Sequence, residues 1–306
     1  LNNGNLIIPF SKTTTSPDSH AFVRIFKPDG TLLATTSATA ANVNGTSTES
    51  EPKVMATSDG GFILAWTVAA ATPNNTAAIA IWGQKFDANG TAVGNNFQIA
   101  TDLRPFSSSD PADSTNTGVQ DWTIKPVGTD GNFAISYTKS TSTITVNDRS
   151  TFDVVVKLYD ANNNLLNTQT LGDVESASTV DTSSRLTSVG TSGQYVVTWV
   201  GTDSAANGSD RSLFVQKFNA DGSQLGSPSK LEATGVTGGT DSREVVTALG
   251  TDGSFAVTWQ AANSAGVLNI YTQRYDATGA KVGNTLNLSN TASSDGVSQL
   301  MVTASE

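Results

Sequence analysis

The sequence predicts an all-β chain built from five copies of one four-stranded unit, and three observations carry that expectation. The first is composition. Of 306 residues, 43 are Thr, 35 Ser and 24 Asn, one third of the chain, while charged residues make up only 14%. Such a mixture favours strands and turns over helices. The second is a seven-residue pattern, Gly-x-(aromatic or Leu)-x-(Val/Ile/Leu)-x-(aromatic), that occurs five times: GNLIIPF (4–10), GGFILAW (60–66), GNFAISY (131–137), GQYVVTW (193–199) and GSFAVTW (253–259). Its apolar residues fall at alternate positions, the periodicity of a strand. The third is a tight-turn signal that follows each copy at a similar distance.

Each element of the unit has its own reason. After the glycine pattern comes a second strand that ends in an aromatic: AFVRIF, IWGQKF, VVVKLY, LFVQKF and IYTQRY, closing at Phe26, Phe86, Tyr159, Phe218 and Tyr275. The turns KPDG (27–30), DANG (87–90), DANN (160–163), NADG (219–222) and DATG (276–279) follow. Gly and Asn there accept the positive φ that hairpin turns require. A shorter strand comes next, at 96–100, 230–233 and 285–288. Upstream of the glycine lies a further strand at 52–56, 123–127, 185–189 and 244–249, joined to it by a second Asp-Gly or Ser-Gly turn.

The first unit lacks that upstream strand, and SQLMVT at 298–303 matches it at the other end of the chain. Five units of about 60 residues, with a permuted first unit, predict a five-bladed β-propeller. The ring is expected to be closed by the C-terminal strand, which leaves no unpaired edge. The expected single domain covers 1–306, with blades near 298–306 plus 1–50, 51–101, 122–172, 183–234 and 243–290. It reads as a monomeric module cut from a longer polypeptide.

Composition also excludes function classes. There is no Cys and one His, His20, so thiol chemistry, disulfides and multi-His metal centres are ruled out. A formal charge of −10 argues against nucleic acid and anionic membranes as partners. No apolar run approaches the ~20 residues of a membrane span.

Aromatics that recur once per unit at one register (Phe10, Trp66, Tyr137, Trp199, Trp259) are expected to pack between blades. Arg24, Gln84, Lys157, Gln216 and Gln273, two residues before the closing aromatics, are expected to reach solvent or a neighbouring blade's backbone. Asp29, Asp59, Asp130, Asp221 and Asp252 stand before or within turn glycines and read as turn formers. Function is expected on the variable loops, at 11–20, 67–78, 138–152, 200–212, 260–268 and on the blade-to-blade connections. The candidate ligand-binding residues are Asp203, Asn207, Asp210, Trp82 and Phe106. Asp110, Asp113, Asp203 and Asp210 are the candidate ligands for a calcium ion, with Asn116 and Asp121 beside the first pair. His20, near Asp18, reads as a surface histidine.

The unit EPKVMATSDGGFILAW followed by IWGQKFDANGTAVGNNFQI (51–66 and 81–99) has close counterparts at 216–226 and 273–283. It resembles repeats of large secreted bacterial proteins of the RTX adhesin and haemolysin-type calcium-binding group. That resemblance implies a protein exported to the bacterial surface or medium. The nonapeptide calcium repeats of that group are absent, so their metal sites do not transfer. Five-bladed propellers of the tachylectin type are lectins, by fold analogy.

The expected function is therefore a non-catalytic recognition or adhesion module, lectin-like, that binds glycan or cell-surface protein. An enzyme is not expected, since no nucleophile–base–orienter set is visible. One alternative is a glycosidase or lyase that uses carboxylates at the starts of the innermost strands, where Glu49, Glu51, Asp121, Asp181, Asp241 and Glu244 lie. The other is a structural spacer.

Overall fold

The computed structural model describes residues 1–15, 18–37, 48–69, 79–103, 122–140, 152–171, 182–203, 210–231, 242–262 and 267–289. Among the described residues every regular element is a strand and every pairing is antiparallel. The first group holds β1 (Leu6–Thr15), β2 (Asp18–Phe26) and β3 (Leu32–Ser37). The second holds β4 (Thr48–Ala56), β5 (Phe62–Ala69), β6 (Ile79–Phe86) and β7 (Ala92–Leu103). The third comprises β8 (Trp122–Val127), β9 (Asn132–Ser140), β10 (Phe152–Tyr159) and β11 (Leu165–Leu171). The fourth comprises β12 (Thr182–Val189), β13 (Gln194–Asp203), β14 (Asp210–Phe218) and β15 (Gln224–Leu231). The fifth runs through β16 (Ser242–Ala248), β17 (Phe255–Ala262), β18 (Leu268–Tyr275) and β19 (Lys281–Asn287). The first two groups form one compact unit and the other three a second. The segment 298–303, expected to complete the first group, lies outside the described residues.

The glycine pattern and the strand after it form a hairpin of fixed register. Phe62 stands opposite Phe86, Phe133 opposite Tyr159, Tyr195 opposite Phe218 and Phe255 opposite Tyr275. Each pair stacks, with ring centroids 5.1, 5.1, 4.9 and 4.6 Å apart. Offset stacks of this kind add about 0.5–1.5 kcal/mol to the burial of the rings. The next turn is closed by a bond from the fourth residue's N–H to the first residue's carbonyl, as in Gly90 to Asp87 at 3.1 Å. Gly90 takes a φ of 88°, and Asn163 fills the same place in the third group at 68°.

Each sheet has two chemically different faces. In the first unit, Ala21, Val23 and Ile25 of the first group pack on Phe62, Leu64, Trp66 and Phe86 of the second. In the second unit, Ala134, Val154, Val156 and Leu158 meet Tyr195, Val197, Trp199 and Phe218. Val196, Val200, Leu213 and Val215 in turn meet Phe255, Val257, Trp259 and Tyr275. Within each unit, an aliphatic face thus covers the next group's aromatic face. Trp66, Tyr137, Trp199 and Trp259 are fully buried, as the packing expectation requires, whereas Phe10 is half-buried.

Two expectations change. The strands are longer than their apolar runs: β1 and β2 take up most of 11–20, and β5, β9, β13 and β17 continue into the expected loops. Cross-strand hydrogen bonding does not stop where the apolar alternation does. Gln84, Gln216 and Gln273 reach neither solvent nor a neighbouring group. Gln216 Nε2 donates to the carbonyls of Lys217, Leu225 and Gly226, all within its own sheet, and Gln84 and Gln273 repeat the arrangement. A register shift between Val215 and Lys217, opposite the positive-φ Gly226, frees those carbonyls from the ladder, and the amide satisfies them.

Candidate functional site

The first strands of three groups share an irregularity near their starts. In β4, Ser50 pairs with Thr67 and Lys53 with Ala65, so Glu51 and Pro52 together oppose Trp66. The same shift separates Thr182 from Arg185 in β12 and Ser242 from Val245 in β16. Proline suits such a place because it has no N–H to give to the ladder. On the β4 side the bulge is pinned by Ser50 and Thr67, whose hydroxyls lie 2.9 Å apart. Bulges re-aim the side chains they carry.

Glu51 has a φ of 49°. Among the described residues the other non-glycine with positive φ is Asn163, which occupies a turn position that is Gly in the other groups. No turn explains Glu51. A left-handed conformation at a residue with a long side chain costs about 1–2 kcal/mol, and the following Pro52 restricts it further. Strain held by the surrounding fold is a common property of working sites.

Glu49, two residues earlier, stands opposite Val68 and is 1% exposed. Its Oε2 accepts the Ala21 N–H at 2.9 Å and lies 3.7 Å from His20 Nδ1. Burial pushes its pKa above the ordinary carboxyl value, and the Ala21 and His20 contacts oppose that rise without cancelling it. His20 is therefore no free surface histidine: its side chain is 25% exposed and faces a buried carboxyl.

In the second unit a different carboxyl sits in the corresponding bulge of β16. Glu244 is buried, and its Oε1 accepts Thr198 Oγ1 at 3.2 Å and pairs with Arg185 Nε at 3.2 Å. Ser184, its counterpart in β12, reaches Ser136 Oγ at 3.3 Å. Both side chains join one group to the preceding one, which gives Glu244 a structural tie to hold.

The other sequence candidates fare differently. Trp82 is half-buried opposite Trp66 and packs on the core. Asp203 and Asp210 face each other as the last register pair of β13 and β14. Asn207, Phe106, Asp110, Asp113, Asn116, Asp121, Asp181 and Asp241 lie outside the described residues. Among the described residues no three His, Asp or Glu side chains gather around a point where a metal ion could sit. Sequence reasoning missed the link from His20 to Glu49, because the two are 29 residues apart with no shared pattern.

No family model matches the chain, and no curated protein matches it. Solved structures do. An α-L-arabinanase from Penicillium chrysogenum, complexed with arabinobiose, aligns at 12% identity over 78% of this chain and 66% of its own, with a TM-score of 0.42. The α-L-arabinofuranosidase Arb93A from Fusarium graminearum, with an iminosugar inhibitor, aligns at 12% identity over the same shares, with a TM-score of 0.43. A GH43 β-1,3-galactosidase with galactodeoxynojirimycin aligns at 13% identity over 91% of this chain and 90% of its own, with a TM-score of 0.38. The chain thus spans just under two thirds of the length of the first two. At these identities the likeness concerns the arrangement of strands, and what each enzyme cleaves is a property of that enzyme. The expectation of a non-catalytic adhesion or lectin-like module, and of no enzyme, is nevertheless corrected by this finding: the matching structures are glycoside hydrolases.

Proposed function

We propose that the chain is a glycoside hydrolase in which Glu49 supplies the proton and Glu51 is the second carboxylate. Cleaving a glycosidic bond needs a carboxylic acid that still holds its proton at the working pH, and a second carboxylate to activate water or attack the sugar. A carboxyl in water has lost its proton by neutral pH, so the acid must be shielded. The observation that carries the reading is the buried Glu49, whose pKa burial raises. The strained Glu51, two residues away on the same strand, supports it. Export from the cell, which a chain without Cys suits, is part of the same reading.

The test uses aryl α-L-arabinofuranoside, aryl β-D-galactoside and reducing-sugar release from arabinan and galactan. Glu49→Gln should lower turnover about 10²–10⁴-fold, the usual share of a general acid, with the fold intact by circular dichroism. A folded parent that cleaves none of these, or a Glu49→Gln chain that works at the parent's rate, refutes the reading. Glu49 would then serve only to join β4 to β2.

We also infer that the groups are five blades of a closed ring. The exposed Leu6 and Ile8 occupy the aromatic-face positions of the first group, and the exposed Val282 and Leu286 lie on the outer strand of the fifth. Leu6, Ile8, Phe26 and Pro28 line a shallow apolar groove of the kind that an aliphatic face fills in the other groups. Deletion of 298–306 should then abolish cooperative unfolding, and an unchanged melting temperature would contradict closure.

A further inference from the structure

Among the described residues, one segment of β2 supplies the polar partners of the Glu49 carboxyl. The backbone N–H of Ala21 donates to Oε2 at 2.9 Å, and the imidazole of the preceding residue, His20, stands 3.7 Å from the same oxygen. Among the described residues nothing else bonds to Glu49, so Oε1 receives no hydrogen bond from them. One oxygen is anchored and the other is left for chemistry. Resting on the hydrolase reading of Glu49, we propose that His20 is its positioning residue: the imidazole fixes the orientation of the carboxyl and, through its own charge, controls when Glu49 gives up its proton.

The surroundings favour this assignment. On β1, Lys12 is the register partner of His20 and is exposed. On β2 itself, Asp18 opens the strand, and Arg24 lies over the Phe10 ring at 5.3 Å from its centroid. On β5 the residues beside Glu49 are Thr67 and Val68, which carry no charge, and on β4 Glu51 and Lys53 follow it. Of these groups only the His20 side chain pairs with the buried carboxyl. A cation there favours the carboxylate, whereas a neutral side chain leaves burial to dominate and the acid protonated to higher pH. An imidazole can do either.

The experiment compares the parent chain with His20→Gln and His20→Arg. The sequence holds six glutamates, so a ¹³C-carboxyl glutamate label gives a short spectrum in which Glu49 is assigned by its loss in Glu49→Gln. The Glu49 titration in His20→Gln should lie about one pH unit above that in His20→Arg, with the parent's at or between the two. The alkaline limb of the pH–rate profile on an aryl glycoside should follow the same order, because that limb marks deprotonation of the acid. A purely structural role for His20 would lower the melting temperature and leave both readouts in place. Equal Glu49 midpoints in all three folded chains overturn the proposal. If the midpoints separate while the folded parent hydrolyses nothing, the coupling stands and the hydrolase reading falls. If hydrolysis depends on Glu49 and the midpoints coincide, the hydrolase reading stands and the role of His20 falls.

Discussion

Lys85 and Lys217 occupy the same place in two copies of the segment Gln-Lys-Phe, and their surroundings predict unequal costs of removal. Lys217 is buried, and its Nζ donates to Gly253 O at 2.7 Å and Ala277 O at 2.6 Å, both carbonyls of turns in the next group. Its stem also approaches the Phe255 ring, with Nζ 6.0 Å from the centroid. Burial pulls its pKa down, and Asp252 and Asp276 act against that. Lys217→Ala removes both bonds and the packed stem. A buried carbonyl left without a donor costs about 1–3 kcal/mol. Gly253 is buried and bears that cost in full, while Ala277 recovers part of it from water. The relief of no longer desolvating an ammonium offsets a fraction of the loss. The net expectation is about 2–4 kcal/mol. Lys85 pairs at 2.8 Å with Asp59, whose side chain is 56% exposed, so Lys85→Ala should cost less than about 1 kcal/mol. Urea unfolding followed by tryptophan fluorescence measures both. A Lys85→Ala loss equal to or above that of Lys217→Ala would refute the reasoning.

Two further perturbations test the packing and the buried carboxyl. Trp199→Ala and Trp259→Ala, at fully buried rings, should each cost about 3–5 kcal/mol, and midpoints near the parent's in the same urea assay would show the rings to be accessible. The Glu49 pKa is raised in the fold, so its contribution to stability is complete below the unfolded carboxyl value of about 4.5 and is lost as pH rises through the folded one. Glu49→Gln should therefore match the parent in acid and gain on it toward pH 8. A stability difference that does not vary with pH would mean that Glu49 titrates as if it were in water.

The hairpins were legible because their determinants are local. Gly60 to Trp66 and Ile81 to Phe86 carry alternation, turn residues and the facing aromatics within thirty positions. The bulge in β4 was not legible. Pro52 hinted at it, but in β12 and β16 the same shift occurs at Ser-Ser and Arg-Glu, which have no such signature. The glutamines were misplaced for a related reason. Gln84, Gln216 and Gln273 each precede a glycine by ten residues, a spacing visible in the sequence, yet its meaning depends on a ladder slip that frees three carbonyls. Of the candidate site, Glu49 and Glu51 were readable as carboxyls near an inner strand. Their burial, strain and partner were not, since those depend on how β4 meets β2.

The two unlike faces of each sheet give the chain a polarity that sequence identity between groups does not require. A group can be added, lost or exchanged between aliphatic and aromatic neighbours without redesigning either contact, but it cannot be inserted backwards. Contacts of this head-to-tail kind are heterologous, and they close on themselves only when the rotation per group divides the circle. A fragment that ends after any whole group exposes one face of each sort and so carries a matching surface for another copy of itself. For a repeat protein of this construction, the number of groups determines whether the chain remains a single particle or begins to assemble.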